Sequence, residues 1–264
     1  MDFLEIERRS MATNWDMSEP HSHDFYELYF LIEGTRQFFT QDKMFVLPRG
    51  SFCVIPPFCL HKTEGGAYAR ININISENLL KKEERKFLSA CAEAGALRLN
   101  DKYLPLLLSL LEEGLSVRAT TSGLRREYEF SIVQTVLYLL QKQELTPITL
   151  ASAVGEMQTA DPVVLKLLFY LNENYRNEIT LEDLSSAFFL SKVSLCARFK
   201  RFMNCSIMQY LFQIRLSKAK ELLSSTSKSV EEIAFECGFS SANYFSLAFK
   251  KEIGLSPLNY RQTR

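Results

Sequence analysis

Residues 191–206, SKVSLCARFKRFMNCS, return fifty positions later as residues 241–256, SANYFSLAFKKEIGLS. Ser191 and Ser241 open the two copies, and a serine side chain at that point can accept from the first free backbone N–H groups of a helix. Leu195 and Phe199 in the first copy, and Phe245 and Phe249 in the second, stand four and eight residues on, which puts one apolar stripe on each helix. Lys200-Arg201 and Lys250-Lys251 follow the stripe. Asn204 and Gly254 then supply residues that tolerate a left-handed helix end. A duplicated supersecondary unit accounts for all of these matches at once.

Working outward, a short helix is expected before each copy, over 181–188 and over 230–237, with Gly238-Phe239 in the second turn. A short helix, a tight turn and a second helix with exposed polar residues make a helix-turn-helix. A longer helix over about 207–223 joins the units. Held on one frame, the two second helices could enter successive major grooves about 34 Å apart. Charge agrees with this reading. The whole chain is neutral, but residues 163–264 carry 14 Lys and Arg against 9 Asp and Glu, so the excess of five positive charges is balanced by the rest. A basic half points toward nucleic acid. An all-helical interaction domain remains the alternative, since the same stripes would build its core.

The pattern resembles the DNA-binding domain of the AraC/XylS family of bacterial regulators. The residues that carry the resemblance are Arg215-Leu216, Ala219, Leu222-Leu223, Ile233-Ala234, Gly238-Phe239, Tyr244-Phe245, Phe249-Lys250-Lys251, Gly254, Ser256-Pro257 and Tyr260-Arg261. The resemblance implies a DNA-facing set: Ser191, Lys192, Val193, Ser194, Cys196, Ala197, Lys200 and Arg201 in the first unit, and Ser241, Ala242, Asn243, Ser246, Leu247, Lys250 and Lys251 in the second. Asn243 could pair with an adenine and Ala197 or Leu247 could touch a thymine methyl. The lysines and Arg201 are assigned to phosphates. Phe189 departs from the family, which has glycine in that turn, so a different turn backbone or a compensating pocket is expected there. Ala197 and Leu247 stand where relatives carry arginine, which shifts weight toward shape readout.

The first third reads as short strands. Residues 26–32, 37–47 and 51–55 are aromatic and β-branched, with turns at Gly34, Pro48-Arg49-Gly50 and Pro56-Pro57. Residues 69–75 alternate, with Arg70, Asn72 and Asn74 against Ile71, Ile73 and Ile75. Whether the polar set faces inward or faces water is open at this point. Such strands suggest a barrel or sandwich. The chain has three histidines: His21 and His23, followed by Glu27, and the later His61. This pattern resembles the cupin β-barrel signature, with Phe58 and Gly65 departing from its second motif. The fold class expected is therefore α+β: a cupin-like barrel, a helical dimerisation segment and an all-α domain with two helix-turn-helix units.

Trp15, His21, His23, Tyr26, Glu27, Tyr29, Arg36, Phe38 and His61 are candidates to line a pocket for a small organic effector, with a sugar or glycoside as the best class. Trp15, the one tryptophan, could stack on the ligand or pack on the rim. His21, His23, Glu27 and His61 are also the donor types of a metal site, but the expectation is a polar lining with no metal and no cofactor. The competing readings are a cupin metalloenzyme or metal sensor fused to a DNA module, and a regulator controlled by a protein partner or by thiol chemistry at Cys53 or Cys59. No nucleophile elbow, phosphate loop or dinucleotide fingerprint is present, so no enzyme activity is expected.

The middle is helical. Leu104, Leu107, Leu108 and Leu111 form one stripe, and Leu124, Tyr128, Ile132, Val136 and Leu139 another that two subunits could share. The boundaries read as a barrel with an N-terminal arm over 1–95, the helical segment over 96–145, a linker over 146–161 and the DNA-binding domain over 162–264. The six cysteines form no CxxC pair, and neither a signal peptide nor an apolar run of membrane length is evident. The expected picture is a cytoplasmic, homodimeric activator whose partners are double-stranded DNA, a small effector and RNA polymerase, with no membrane.

Overall fold

The structure is a computed structural model that describes residues 3–13, 17, 19–40, 43–117, 124–148 and 161–263. The N-terminal half is built from strands β1 (Leu4–Met11), β2 (Tyr26–Glu33), β3 (Thr35–Thr40), β4 (Met44–Pro48), β5 (Ser51–Ile55), β6 (His61–Glu64), β7 (Tyr68–Ile75), β8 (Leu97–Arg98) and β9 (Thr146–Pro147). A six-stranded sheet runs β1-β7-β2-β5-β8-β9 and a three-stranded sheet runs β4-β3-β6, each antiparallel throughout. Tyr29, Leu31, Phe38, Phe45, Leu47, Cys53, Ile55 and Tyr68 fill the space between them.

Alternation along the strands decides what faces where. On β7, Ile71, Ile73 and Ile75 leave the barrel and enter a second core on the outer face of the large sheet. Arg70, Asn72 and Asn74 therefore point inward and are buried. On β2, Tyr26, Leu28 and Phe30 join that outer core, while Glu27, Tyr29 and Leu31 face the barrel. Helices α1 (Lys82–Ala94), α2 (Leu104–Val117) and α3 (Arg125–Lys142) cover the outer face.

Several details differ from the sequence reading. The stretch 37–47 falls in two strands, not one, and Thr40 N–H donates to Lys43 C=O at 2.8 Å between them. The N-terminal residues form β1, paired with β7 from Leu4↔Ile75 to Met11↔Tyr68. Leu4 and Ile6 join the outer core, but Arg8 follows on the same face and Glu7 and Arg9 lie on the cavity side, so charge on both faces of this edge strand hides the period. Thr146–Pro147, inside the expected linker, pair with β8. Of the α3 stripe, Ile132, Val136 and Leu139 are buried in the chain's own core, and Leu124 and Tyr128 are exposed.

The C-terminal half contains α4 (Pro162–Asn174), α5 (Leu181–Phe188), α6 (Lys192–Met203), α7 (Ile207–Ser225), α8 (Val230–Glu236), α9 (Ala242–Ile253) and α10 (Pro257–Gln262). The caps follow the sequence. Ser191 accepts from Ser194 N–H, Ser241 from Tyr244 N–H and Ser256 from Asn259 N–H, while Ser206 with Gln209 and Ser229 with Glu232 form reciprocal capping boxes. Asn204 and Gly254 end α6 and α9 at positive φ.

Helix α7 belongs to both units. Its Tyr210, Leu211 and Ile214 pack with Leu195, Phe199 and Met203, whereas Leu216, Ala219 and Leu223 pack with Phe245 and Phe249. The arginines of the family pattern tie the end of α4 and the last helix to this frame. Arg215 donates to Tyr175 C=O and Asn177 C=O, both at 2.8 Å, and Arg261 donates to Leu223 C=O at 3.3 Å and to Lys228 C=O at 2.6 Å. Among the described residues no helix is long and apolar enough to cross a membrane.

Candidate functional site

Two regions carry the expected site residues. On α6, Lys192, Val193, Ala197, Lys200 and Arg201 are exposed, Ser194 and Cys196 are half-buried, and the apolar stripe faces the core. On α9, Asn243, Leu247, Lys250 and Lys251 are exposed, and Ala242 and Ser246 are half-buried. Ser191 and Ser241 serve as caps. Val193 is 80% exposed and Leu247 is 64% exposed, an unusual outward placement for aliphatic side chains that nothing among the described residues covers. Lys192 is ion-paired with Glu182 across the turn.

The two turns solve one backbone problem in different ways. Gly238 has φ +81°, and a Cβ there would stand 2.5 Å from Tyr175 O and 2.9 Å from Arg176 O, so only glycine fits. Phe189 adopts the same left-handed region, φ 52° and ψ 39°, with its ring 92% exposed. Neither the altered turn nor the pocket expected for Phe189 is found. The side chain points into open space, and the turn keeps the backbone a glycine would adopt.

The second region is the barrel interior. A cavity of about 170 Å³ is lined by Met17, His21, His23, Phe25, Glu27, Tyr29, Phe38, His61, Thr63, Arg70 and Asn74, with Glu7 and Arg9 at its edge. Of the expected lining, His21, His23, Glu27, Tyr29, Phe38 and His61 are brought together here. Tyr26 is a correction: strand alternation turns it to the outer core, where its hydroxyl approaches Ser89 at 3.5 Å. Arg36 is buried inside the barrel but does not line the cavity. It donates to Thr63 Oγ1 at 3.2 Å and lies over the Tyr68 ring at 4.5 Å. Trp15 lies outside the described residues. Arg70, Asn74, Met17, Phe25 and Thr63 were not among the predicted lining. For Arg70 and Asn74 the alternation of β7 was the available signal, and only its direction was missing.

Glu27 is the centre of the site. Its Oε2 stands 3.0 Å from His23 Nε2 and 3.7 Å from His61 Nε2. Its Oε1 accepts from Asn72 Nδ2 and lies 3.8 Å from Arg70 Nη1. Burial alone would raise the Glu27 pKa, but His23, His61 and Arg70 outweigh it and hold the carboxyl down at about 2. Burial pushes the His61 imidazole down to about 3. Tyr29 Oη, Arg70 Nη1, Asn72 Oδ1 and Asn74 Oδ1 are buried and make no hydrogen bond among the described residues. Such groups are costly unless something meets them. Burial also lifts the Cys53 thiol well above its ordinary pKa, which makes it a poor thiolate.

The cavity wall touches the helical half. Backbone bonds join His21 N–H to His61 C=O at 3.0 Å and His61 N–H to His21 C=O at 2.9 Å. Between His21 and His23, Ser22 Oγ accepts from Lys220 Nζ of α7 at 2.7 Å. Ser217 Oγ, one turn earlier on α7, donates to Phe58 C=O. Lys62 Nζ donates to Phe202 C=O at 2.6 Å, Phe39 meets the Phe202 ring edge-on at 4.7 Å, and Leu60 sits in the core of the first helix-turn-helix unit.

A duplicated helix-turn-helix frame beneath a sheet-lined polar cavity defines a DNA-binding transcription regulator with an effector-binding domain. Residues 5–124 match the AraC-like ligand binding domain, and residues 184–263 match a helix-turn-helix domain. The chain thus joins an AraC-like ligand binding domain to a helix-turn-helix domain, and the relatives it matches are transcription regulators of the AraC family. It is 26% identical over 266 residues to the HTH-type transcriptional activator RhaR of Mannheimia succiniciproducens, spanning 98% of this chain and 91% of that one. It is 26% identical over 248 residues to the HTH-type transcriptional activator RhaS of Klebsiella pneumoniae, spanning 92% and 87%. Among solved structures, the C-terminal domain of AraT, a response regulator from Geobacillus stearothermophilus, is similar at 36% identity, covering 40% of this chain and 89% of that chain with a TM-score of 0.39.

Proposed function

We propose that this chain activates transcription when a small polyhydroxylated molecule, a sugar or glycoside, occupies the barrel cavity. The observation that carries the reading is that one short segment, His21-Ser22-His23, lines the cavity and also holds α7, the helix shared by both DNA-binding units. A ligand that binds better to one arrangement of this segment shifts the frame that carries α6 and α9. Support for a sugar comes from the cavity chemistry: Tyr29 Oη, Arg70 Nη1 and Asn74 Oδ1 await hydroxyl partners, and Phe25 and Phe38 supply ring faces. Activation is what the names of the related proteins state of those proteins.

In this reading the boundaries are 1–95 for effector binding, 96–145 for the helical segment, 146–161 for the linker and 162–264 for DNA binding. Asn243, Val193, Ala197 and Leu247 meet base edges, and Lys192, Lys200, Arg201, Lys250 and Lys251 meet phosphates. The protein works in the cytoplasm as a homodimer, with Leu124 and Tyr128 the part of the α3 stripe left exposed for a second copy, and RNA polymerase is its target on DNA. A thermal-shift screen against sugars, run with and without chelator, tests the effector. A ligand at about 100 times its dissociation constant adds about 2.7 kcal/mol, a shift of several degrees. Saturating sugars of every class with no shift, together with unchanged affinity for promoter DNA, would remove this reading.

A further inference from the structure

We propose that Phe189 is a DNA-contact residue whose ring packs on the apolar edge of the duplex, thymine methyls and deoxyribose carbons, at the flank of the major groove that α6 enters. Phe189 closes α5 at φ 52° and ψ 39°, a region in which a bulky side chain is strained. Its ring is 92% exposed, so no packing offsets that strain. The turn itself is well bonded. Phe189 N–H donates to Ser186 C=O at 3.4 Å, Leu190 N–H to Ser185 C=O at 3.2 Å, and Ser185 Oγ to Leu190 C=O at 2.6 Å. Both neighbours turn inward: Phe188 meets the Tyr170 ring edge-on at 5.8 Å, and Leu190 packs against the core of the first unit. The other non-glycine residues at positive φ among those described are Phe58 and Asn204. Phe58 is half-buried, its N–H donating to His23 C=O at 2.6 Å and its C=O accepting from Ser217. Asn204 is of a type that tolerates the region. An exposed apolar residue alone needs no explanation. One that is exposed and also strained, in an ordered turn, points to a partner outside the chain.

Its place in the fold makes that partner DNA. Phe189 stands two residues before Ser191, the cap of α6, and so at the end of the helix that a helix-turn-helix turns toward base edges. Ser191, Lys192 and Val193 beside it are all exposed, Val193 by 80%. The ring therefore extends an apolar contact surface that α6 already offers, and Lys192, Lys200 and Arg201 on the same helix supply the positive charge that a polyanion requires. The second unit cannot carry such a group, because a Cβ at Gly238 would stand 2.5 Å from Tyr175 O. The ring thus marks one unit of the pair and adds a recognised position on the α6 side only. The inference rests on the reading of α6 as a DNA-reading helix and adds to it a residue outside the set that the family resemblance implies.

The test is fluorescence anisotropy of a labelled promoter duplex with the full chain and with Phe189→Gly, Phe189→Asn and Phe189→Tyr, each also followed by thermal melting. Glycine and asparagine suit the left-handed backbone, so both variants should melt no lower than the parent chain. Both should bind about 10-fold more weakly, the scale of one buried aromatic side chain after ordering costs. Phe189→Tyr keeps the ring and should keep the affinity. The slope of log K against log[salt] should be unchanged throughout, because a ring releases no counterions. A protein that is no less stable yet binds DNA less well is a result that a purely structural ring does not give. On a duplex with uracil in place of thymine, a Phe189→Gly effect that vanishes assigns the contact to thymine methyls, and one that persists assigns it to deoxyribose. Unchanged affinity in both the glycine and asparagine variants would overturn the proposal, whether or not transcription by RNA polymerase falls. Replacement of Lys200 and Lys250 by alanine in the same assay reports separately on α6: weakening by the lysine pair without weakening at Phe189 refutes this inference alone.

Discussion

Replacing Gly238 by alanine should unfold or loosen the second helix-turn-helix unit, and the structure sets the size of the effect. The residue sits at φ +81°, where an L side chain is strained by about 1–2 kcal/mol. Its new Cβ would also meet Tyr175 O at 2.5 Å, Arg176 O at 2.9 Å and Arg215 Nε at 3.0 Å. None of these can retreat alone, because Arg215 Nε donates to Tyr175 C=O at 2.8 Å and that bond anchors α7 to the end of α4. Overpacking against fixed atoms costs about 1–3 kcal/mol. The two effects together give about 2–5 kcal/mol, a fall in melting temperature of roughly 10–25 °C if the helical half melts as a unit of about 100 residues. Differential scanning calorimetry of the full chain measures it, and promoter binding should weaken in parallel. Phe189→Gly is the matched control. The same backbone is strained there, the ring is 92% exposed, and relief outweighs the added chain entropy, so stability should rise by about 0.5–1 kcal/mol. A loss under about 1 kcal/mol for Gly238→Ala, or a clear loss for Phe189→Gly, would refute the account of the two turns.

Replacing Lys200 and Lys250 together with alanine should weaken promoter binding at every sequence and reduce the slope of log K against log[salt] by about 1.8, measured by fluorescence anisotropy across a salt series. An unchanged slope would show that neither lysine meets phosphate. Lys220→Met keeps the buried stem and removes the ammonium from Ser22. A charged hydrogen bond is worth about 1.5–3 kcal/mol, so effector-free DNA affinity should change about 10-fold and respond less to effector, whereas affinity that is unaltered in both states would break the proposed link. Tyr29→Phe deletes a buried hydroxyl that makes no hydrogen bond among the described residues, so the free protein should be as stable or up to about 1 kcal/mol more stable by thermal melting, while effector affinity falls. A marked loss of stability would mean that the hydroxyl has a partner in the free protein.

Much of the DNA-binding half was legible in sequence because its determinants are local. Ser191, Ser206, Ser229, Ser241 and Ser256 each cap the helix that follows them, and Leu195-Phe199 and Phe245-Phe249 each bury one face. These effects act over one or two helical turns, so spacing alone reveals them. The α3 stripe was legible as a stripe but not as to its partner. The period that predicts an apolar face is the same whether a second chain or the chain's own sheet covers it, and here the sheet covers Ile132, Val136 and Leu139.

The barrel marks the boundary more sharply. The amino-acid order by itself determined that Arg70, Asn72 and Asn74 share one face of a strand. Only the tertiary structure decided that this face turns inward, that Tyr26 turns out, and that His21 and His23, which precede β2, reach Glu27. It alone brought His61 to Glu27 across a separation of 34 in the chain, and Ser22 to Lys220 across a separation of 198. Periodicity assigns residues to faces because it comes from backbone geometry, which repeats every few residues. The direction a face takes, and what meets it, depend on which distant segments can bury their apolar sides against it, and that choice is made by the packing of the whole chain.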